Sequence, residues 1–206
     1  MKRIGIINYG IGNLGSVQSA LHQIQEDSFL IESVEDFHKA THIILPGVGA
    51  FGIGMQNLKE RQFDRAIRDA VAANKPLLGI CLGMQLLASR GTEFGDTDGL
   101  NLIPGKVIQL QVDDLRLPHV GWNDLTIKKE DPVFTSDLHK QAFYFVHSFH
   151  FVVDDKTDIA ATTTYGEDFV SCVSRGRVFG AQFHPEKSQK FGLQMLKNFC
   201  GLTTLC

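Results

Sequence analysis

One cysteine stands out by its neighbours. Cys81 lies two residues after Gly79 and two before Gly83 in Pro76–Leu87, which reads P-L-L-G-I-C-L-G-M-Q-L-L. Leu77–Ile80 is a short apolar run behind a Lys75-Pro76 breaker, the pattern of a strand buried on both faces. After Cys81 the pattern turns helical, with Leu82, Gln85, Leu86 and Ser89 at helix spacing. G-x-C-x-G is the cysteine counterpart of the G-x-S-x-G nucleophile elbow. A sharp strand-to-helix turn crowds its own backbone, so the flanking residues must lack Cβ atoms and the nucleophile is lifted to the tip. Free N–H groups and the positive dipole end of the following helix favour thiolate over thiol. The same N–H groups can hold an oxyanion. The competing reading is an inert cysteine at the end of a core strand, since free cysteine is among the most buried residue types.

A nucleophilic thiol needs a base, and the base needs an orienting group. Gly180–Ser188, G-A-Q-F-H-P-E-K-S, offers both. His184 ends a predicted strand, and Pro185 keeps it extended. Glu186, two residues on, then projects to the same side. Glu186 would fix the imidazole tautomer, and His184 would deprotonate Cys81 and later protonate a departing amine. Of the eight histidines, His147 in F-V-H-S-F and His119 in L-P-H-V-G-W-N compete for the base role. Neither has an acid close by in sequence, which suits them to substrate-loop or structural roles.

Two glycine-rich stretches carry further signals. Pro46-Gly47-Val48-Gly49 follows the apolar run Thr41–Leu45. Its glycines let backbone amides approach a ligand, and the C-terminal ends of parallel strands are where open α/β sheets bind ligands. An ordinary turn between strand and helix reads the same way. Gly10, Gly12 and Gly15 spell G-x-G-x-x-G between a strand and a helix, with Glu32 placed to hold a ribose. The richer cysteine site, and the lack of a dehydrogenase substrate half, argue against a dinucleotide there.

The elements that must position these residues follow from periodicity. Strands are expected at Arg3–Asn8, Phe29–Ser33, Thr41–Leu45 and Leu77–Ile80. A first helix buries Val17, Ala20, Leu21 and Ile24, and one outer helix spans Gln56–Lys75. Arg90–Gly99 reads as a surface loop. Then come strands at Lys106–Val112, Asp124–Lys128, Ala142–His147, Asp158–Tyr165, Phe169–Ser174 and Arg177–Phe183, with a tight turn at Arg175-Gly176. A last helix covers Lys190–Phe199. The first half is βαβα and the second β-rich, which predicts one α/β domain over residues 1–206. A net charge of −3 with no basic block gives nucleic acid no handle. No run reaches membrane-spanning length, and Ile4–Ile7 is too short an apolar core for a secretory signal. Cys81, Cys172, Cys200 and Cys206 show no C-x-x-C pairing, so reduced thiols in the cytoplasm are expected.

G-I-C-L-G-M-Q-L-L together with Q-F-H-P-E-K-S resembles the class I, triad-type glutamine amidotransferases. P-G-V-G, L-P-H-V-G-W-N and Y-F-V-H-S-F resemble one branch of them, the glutaminase subunits of imidazole glycerol phosphate synthase in histidine biosynthesis. The resemblance implies a flavodoxin-like, mostly parallel sheet flanked by helices, and hydrolysis of L-glutamine to glutamate and ammonia without metal or cofactor. It implies Cys81 as nucleophile, His184 as base and Glu186 as third member. Gly47, Val48 and Gly49 would supply one oxyanion-hole amide and Leu82 the other. Gln85, Glu93, His147, Ser148 and Phe149 would hold glutamine. Asn13, Trp122, Tyr144 and Lys187 would face the partner, a (β/α)8-barrel cyclase that takes up the ammonia as the other half of a heterodimer. Asn8 and Phe149 stand where the branch often has Asp and Tyr, which leaves room for a related glutaminase feeding another acceptor, such as a sugar amidotransferase.

Overall fold

The computed structural model describes residues 2–113 and 115–203. The first half contains β1 (Ile4–Ile7), α1 (Leu14–Gln23), β2 (Ser28–Ile31), α2 (Asp36–Lys39), β3 (His42–Gly47), α3 (Phe51–Glu60), α4 (Phe63–Ala72), β4 (Leu77–Cys81) and α5 (Leu82–Gln85). The second contains β5 (Arg90–Gly91), β6 (Thr97–Asp98), β7 (Gly105–Gln109), β8 (His119–Asp124), β9 (Thr126–Ile127), β10 (Ala142–His147), β11 (Phe149–Val153), β12 (Ile159–Tyr165), β13 (Glu167–Arg175), β14 (Val178–Ala181) and α6 (Gln189–Cys200).

β2-β1-β3-β4-β14 form a parallel sheet in that order, and β13, β11 and β7 continue it, β13 and β11 pairing antiparallel. The order 2-1-3-4 is that of flavodoxin-like sheets. Strand residues alternate between two apolar layers. Ile4, Ile6, Ile44, Leu78 and Ile80 meet Val17 and Leu21 of α1 and Leu196 and Phe199 of α6. Ile7, Ile43, Leu45 and Leu77 meet Met55 and Leu58 of α3 and Phe63 and Ile67 of α4. The central strands are therefore apolar on both faces, which the continuous runs in the sequence reflect. β8 and β10 form a separate antiparallel ribbon, with Trp122 opposite Tyr144 and Val120 opposite Val146.

Several expectations need correcting. The outer helix is two helices, broken at Gln62, which adopts φ +59°. The break turns Phe63 inward, edge-on to Phe37 at 5.5 Å. Arg90–Gly99 is a small hairpin, with Arg90 paired to Asp98. β8 and β11 were not expected as strands, because Pro118, Gly121 and the single-residue break at Ser148 look like loop chemistry. Only Thr126–Ile127 of the strand expected at 124–128 pairs as β9. The hairpin turn is Gly176-Arg177, one residue later than expected, with Gly176 at φ +60°. Cys206 lies outside the described residues. No helix among the described residues is long and apolar enough to cross a membrane.

Candidate active site

The site forms where three neighbouring parallel strands end. Gly47, the last residue of β3, is in register with Cys81, the last residue of β4, and Ala181 of β14 is in register with Ile80. Cys81 adopts φ +54° and ψ −112° and is 6% exposed. A non-glycine residue held there costs about 1–3 kcal/mol, which the surrounding structure must enforce. The two elbow glycines show how it does so. A Cβ on Gly79 would stand 2.5 Å from the Gly83 carbonyl oxygen, and one on Gly83 would stand 1.8 Å from the Leu45 carbonyl oxygen. Absent side chains at 79 and 83 thus let α5 press against β3 and β4. α5 itself is one turn long, followed by looser turns to Ala88. The helix expected after Cys81 is cut short because Arg90 enters β5. Free N–H groups remain at its start, but one turn of aligned peptides supplies little macrodipole.

His184 follows β14. Its backbone N–H donates to Tyr144 O at 2.9 Å, and its own carbonyl accepts from Ser188 Oγ at 2.6 Å. Its Nδ1 lies 2.8 Å from Glu186 Oε1, and both side chains are nearly sealed from solvent, at 4% and 1% exposure. The reason differs from the extended dipeptide expected. His184 is extended, but Pro185–Lys187 curls into a 3-10 turn that swings Glu186 back under the ring. A carboxylate accepts only, so Nδ1 carries the proton and Nε2 is left for other work. Burial pulls the His184 pKa down, but hydrogen bonds and charge from Cys81 and Glu186 outweigh it and carry it up to about 10. An imidazolium stabilised in this way strengthens the fold below pH 6.5, and that contribution drains away as pH rises through about 10. In urea unfolding, the stability gap between the wild-type chain and His184→Gln is expected to shrink across that interval. A gap that stayed constant would contradict the pairing.

A cavity of about 380 Å³ opens over Cys81. Val48, Gly49, Leu82, Gln85, Glu93, His147, Ser148, Phe149 and His184 all line it. Gly47 and Glu186 do not line it; Gly47 lies beside Cys81 on the neighbouring strand, and Glu186 is held on His184. Gln85 Nε2 donates to Phe149 O at 2.9 Å and to Gln182 Oε1 at 3.0 Å. Gln182 Nε2 is in turn 3.9 Å from Cys81 Sγ. Glu93 accepts from Phe51 N–H at 2.9 Å, capping α3 while presenting a carboxylate to the cavity. Lys187, expected at a partner surface, also lines the cavity, with Nζ 5.7 Å from the Tyr144 ring centroid. Trp122 is half exposed at 49% and meets Tyr144 edge-on at 6.0 Å. Asn13 is exposed and caps α1, its Oδ1 accepting from Ser16 N–H at 3.3 Å.

The Gly10–Gly15 stretch is not shaped for a dinucleotide. A Cβ on Gly15 would meet nothing within 4 Å, so this glycine does not serve the close helix–strand packing the fingerprint requires. Glu32 accepts from Asn8 Nδ2 at 3.1 Å. Gly12 instead packs on Pro46, at the base of the Gly47–Gly49 loop.

The family model of class-I glutamine amidotransferases matches residues 6–201. The chain belongs to the class-I glutamine amidotransferases. Within that family it belongs with the HisH subunits. It is 45% identical to imidazole glycerol phosphate synthase subunit HisH 1 of Campylobacter jejuni subsp. jejuni over 201 residues, spanning 97% of this chain and 100% of the relative. It is 42% identical to the HisH subunit of Geobacter sulfurreducens, spanning 97% and 98%. A crystal structure of a glutamine amidotransferase superposes with a TM-score of 0.75 at 19% identity, covering 97% of this chain and 99% of that one. That likeness supports the class-I glutamine amidotransferase fold.

Two residues near the cysteine of this amidotransferase were not expected. Gln182 is fully buried and two residues before His184, so strand alternation in Q-F-H would have placed the two together. Tyr9 is fully buried, and a Cβ on Gly47 would stand 2.5 Å from its hydroxyl. Burial and the nearby Cys81 push its phenol pKa up. Tyr9 opens the Gly10–Gly15 stretch, but nothing in that spacing links it to the cysteine.

Proposed function

We propose that this chain is the glutaminase subunit of an imidazole glycerol phosphate synthase, acting in histidine biosynthesis as one domain. The observation that carries the reading is the junction of the Cys81 elbow with the buried His184–Glu186 pair at one cavity. Cys81 thiolate attacks the side-chain carboxamide carbon of L-glutamine. The oxyanion is held by Leu82 N–H and an amide of Gly47, Val48 or Gly49. One such donor is worth about 2.7–4 kcal/mol in the transition state. His184 gives its proton to the amide nitrogen, and ammonia leaves. The thioester is then attacked by water, whose proton returns to His184, releasing glutamate and the thiolate. Gln85, Glu93, His147, Ser148 and Phe149 hold the rest of the substrate; the Glu93 carboxylate suits its ammonium group. A chloroketone analogue of glutamine is expected to attach to Cys81 alone, read by peptide mass spectrometry. Labelling of Cys172 or Cys200 with Cys81 untouched would overturn the assignment.

The partner in this reading is the (β/α)8-barrel cyclase, which receives the ammonia. The free thiols Cys81, Cys172 and Cys200 fit a reducing compartment such as the cytoplasm. Val120 and Trp122 project from one face of β8, 56% and 49% exposed, beside the cavity wall formed by Val146. A large aromatic side chain left in water on a ribbon next to the site is the kind of anchor that dominates interfaces. Trp122→Ala is expected to weaken the cyclase complex by about thirtyfold or more. Titration calorimetry reads this directly, and unchanged affinity would remove Trp122 from the interface.

A further inference from the structure

Two buried histidines with no proton-transfer role in the chemistry above stand in series at the cavity, His147 in its lining and His119 behind His147. His147 Nδ1 lies 2.9 Å from Phe149 O. His147 Nε2 lies 3.1 Å from His119 Nδ1, and His119 Nε2 lies 3.4 Å from Asn123 Nδ2. One proton arrangement satisfies all three contacts. A carbonyl only accepts, so His147 Nδ1 carries the proton. His147 Nε2 is then the acceptor of a neutral ring, so His119 Nδ1 carries the proton. His119 Nε2 in turn accepts from the Asn123 amide, which also donates to Thr164 O at 2.9 Å. Burial keeps both rings neutral, holding His119 down to about 4 and His147 to about 3. The His119 ring is stacked on Tyr165 at 4.0 Å and on Phe145 at 5.0 Å, so it cannot turn freely.

The series ends on a shared acceptor. Phe149 O takes the His147 proton on one side and Gln85 Nε2, at 2.9 Å, on the other. Val146–Phe149 is the cavity wall facing Cys81, with Val146 O 3.8 Å from Sγ. We propose that His119 is a positioning residue for glutamine hydrolysis. Through His147 it fixes the proton that pins the Phe149 carbonyl, and with it the glutamine-binding wall and the Gln85 amide. The proposal rests on the glutaminase reading. Without the His119 donor, His147 is free to take its other tautomer. Nδ1 and Phe149 O then face each other as two acceptors, and the wall loses its tie.

Two substitutions separate this role from packing. His119→Phe keeps a ring between Tyr165 and Phe145 but donates nothing. His119→Asn gives up the stacking but keeps an N–H close to the Nδ1 position. A packing role ranks Phe above Asn; the relay ranks Asn above Phe. In glutaminase assays of the chain with the cyclase subunit, His119→Phe is expected to raise KM for glutamine about tenfold, the effect of one unmade buried hydrogen bond, and to change kcat far less. His119→Asn is expected to recover most of that loss. The opposite ranking, or a wild-type KM for His119→Phe, would overturn the proposal. Nitrogen-15 NMR of the wild-type rings gives a readout that needs no activity: His147 protonated at Nδ1 supports the relay, and protonation at Nε2 contradicts it. If the wild-type complex hydrolysed no glutamine, the glutaminase reading would fall, while the tautomer in the same sample would still decide the relay.

Discussion

Replacement of Cys81 by alanine is expected to reduce glutamine hydrolysis by at least about ten-thousandfold, the scale seen when a nucleophile is removed from a hydrolytic triad. Circular dichroism and urea unfolding of the variant are expected to stay close to wild type, because alanine must adopt the same φ of +54°. Cys81→Gly sharpens the test. It removes the same sulfur but relieves the left-handed strain, so stability is expected to rise by about 1 kcal/mol while activity stays lost. Opposite movement of stability and activity at one position marks strain held for function. Residual hydrolysis near the wild-type rate in either variant would remove Cys81 from the chemistry.

The largest effect on folding is expected at Gly83. Its Cβ would come 1.8 Å from the Leu45 carbonyl oxygen, which belongs to the backbone of a central strand and has nowhere to go. Gly83→Ala is therefore expected to lose at least about 3 kcal/mol or fail to accumulate as folded protein. Gly15→Ala is the control within the same chain. Gly15 lies inside α1 with nothing within 4 Å of its Cβ position, so alanine is expected to stabilise by about 0.5–1 kcal/mol. Equal stabilities for the two variants in urea titrations would mean that the elbow is not held by contact between α5 and β3.

The contrast between these glycines shows what the sequence makes legible. Gly79 and Gly83 flank a chemical residue, and the turn they permit has one steric explanation. Gly10, Gly12 and Gly15 match a known spacing equally well, yet only the space around Gly15 reveals that the fingerprint is not in use. His184 and Glu186 were visible as a pair because they are close in sequence, although the turn that joins them is curled. Cys81, Gln85, Gln182 and Phe149 are joined through contacts between residues 64 to 101 positions apart, which no local pattern encodes. β8 hid for a related reason. Its inward face carries His119, Gly121 and Asn123 in place of apolar residues, so alternation of hydrophobicity does not announce it. The break at Gln62 carries no glycine or proline, and the inward turn of Phe63 that it permits depends on α2 across the fold.

In the function proposed above, Cys81, His184 and Glu186 hydrolyse glutamine on behalf of a cyclase. That function is tested most directly by glutamate release from glutamine, measured for the purified chain alone and then with the barrel subunit and its ribonucleotide substrate. Slow release by the chain alone and strong stimulation in the liganded complex are expected, both lost in Cys81→Ala. No release in the complex, or release that survives Cys81→Ala, would contradict it.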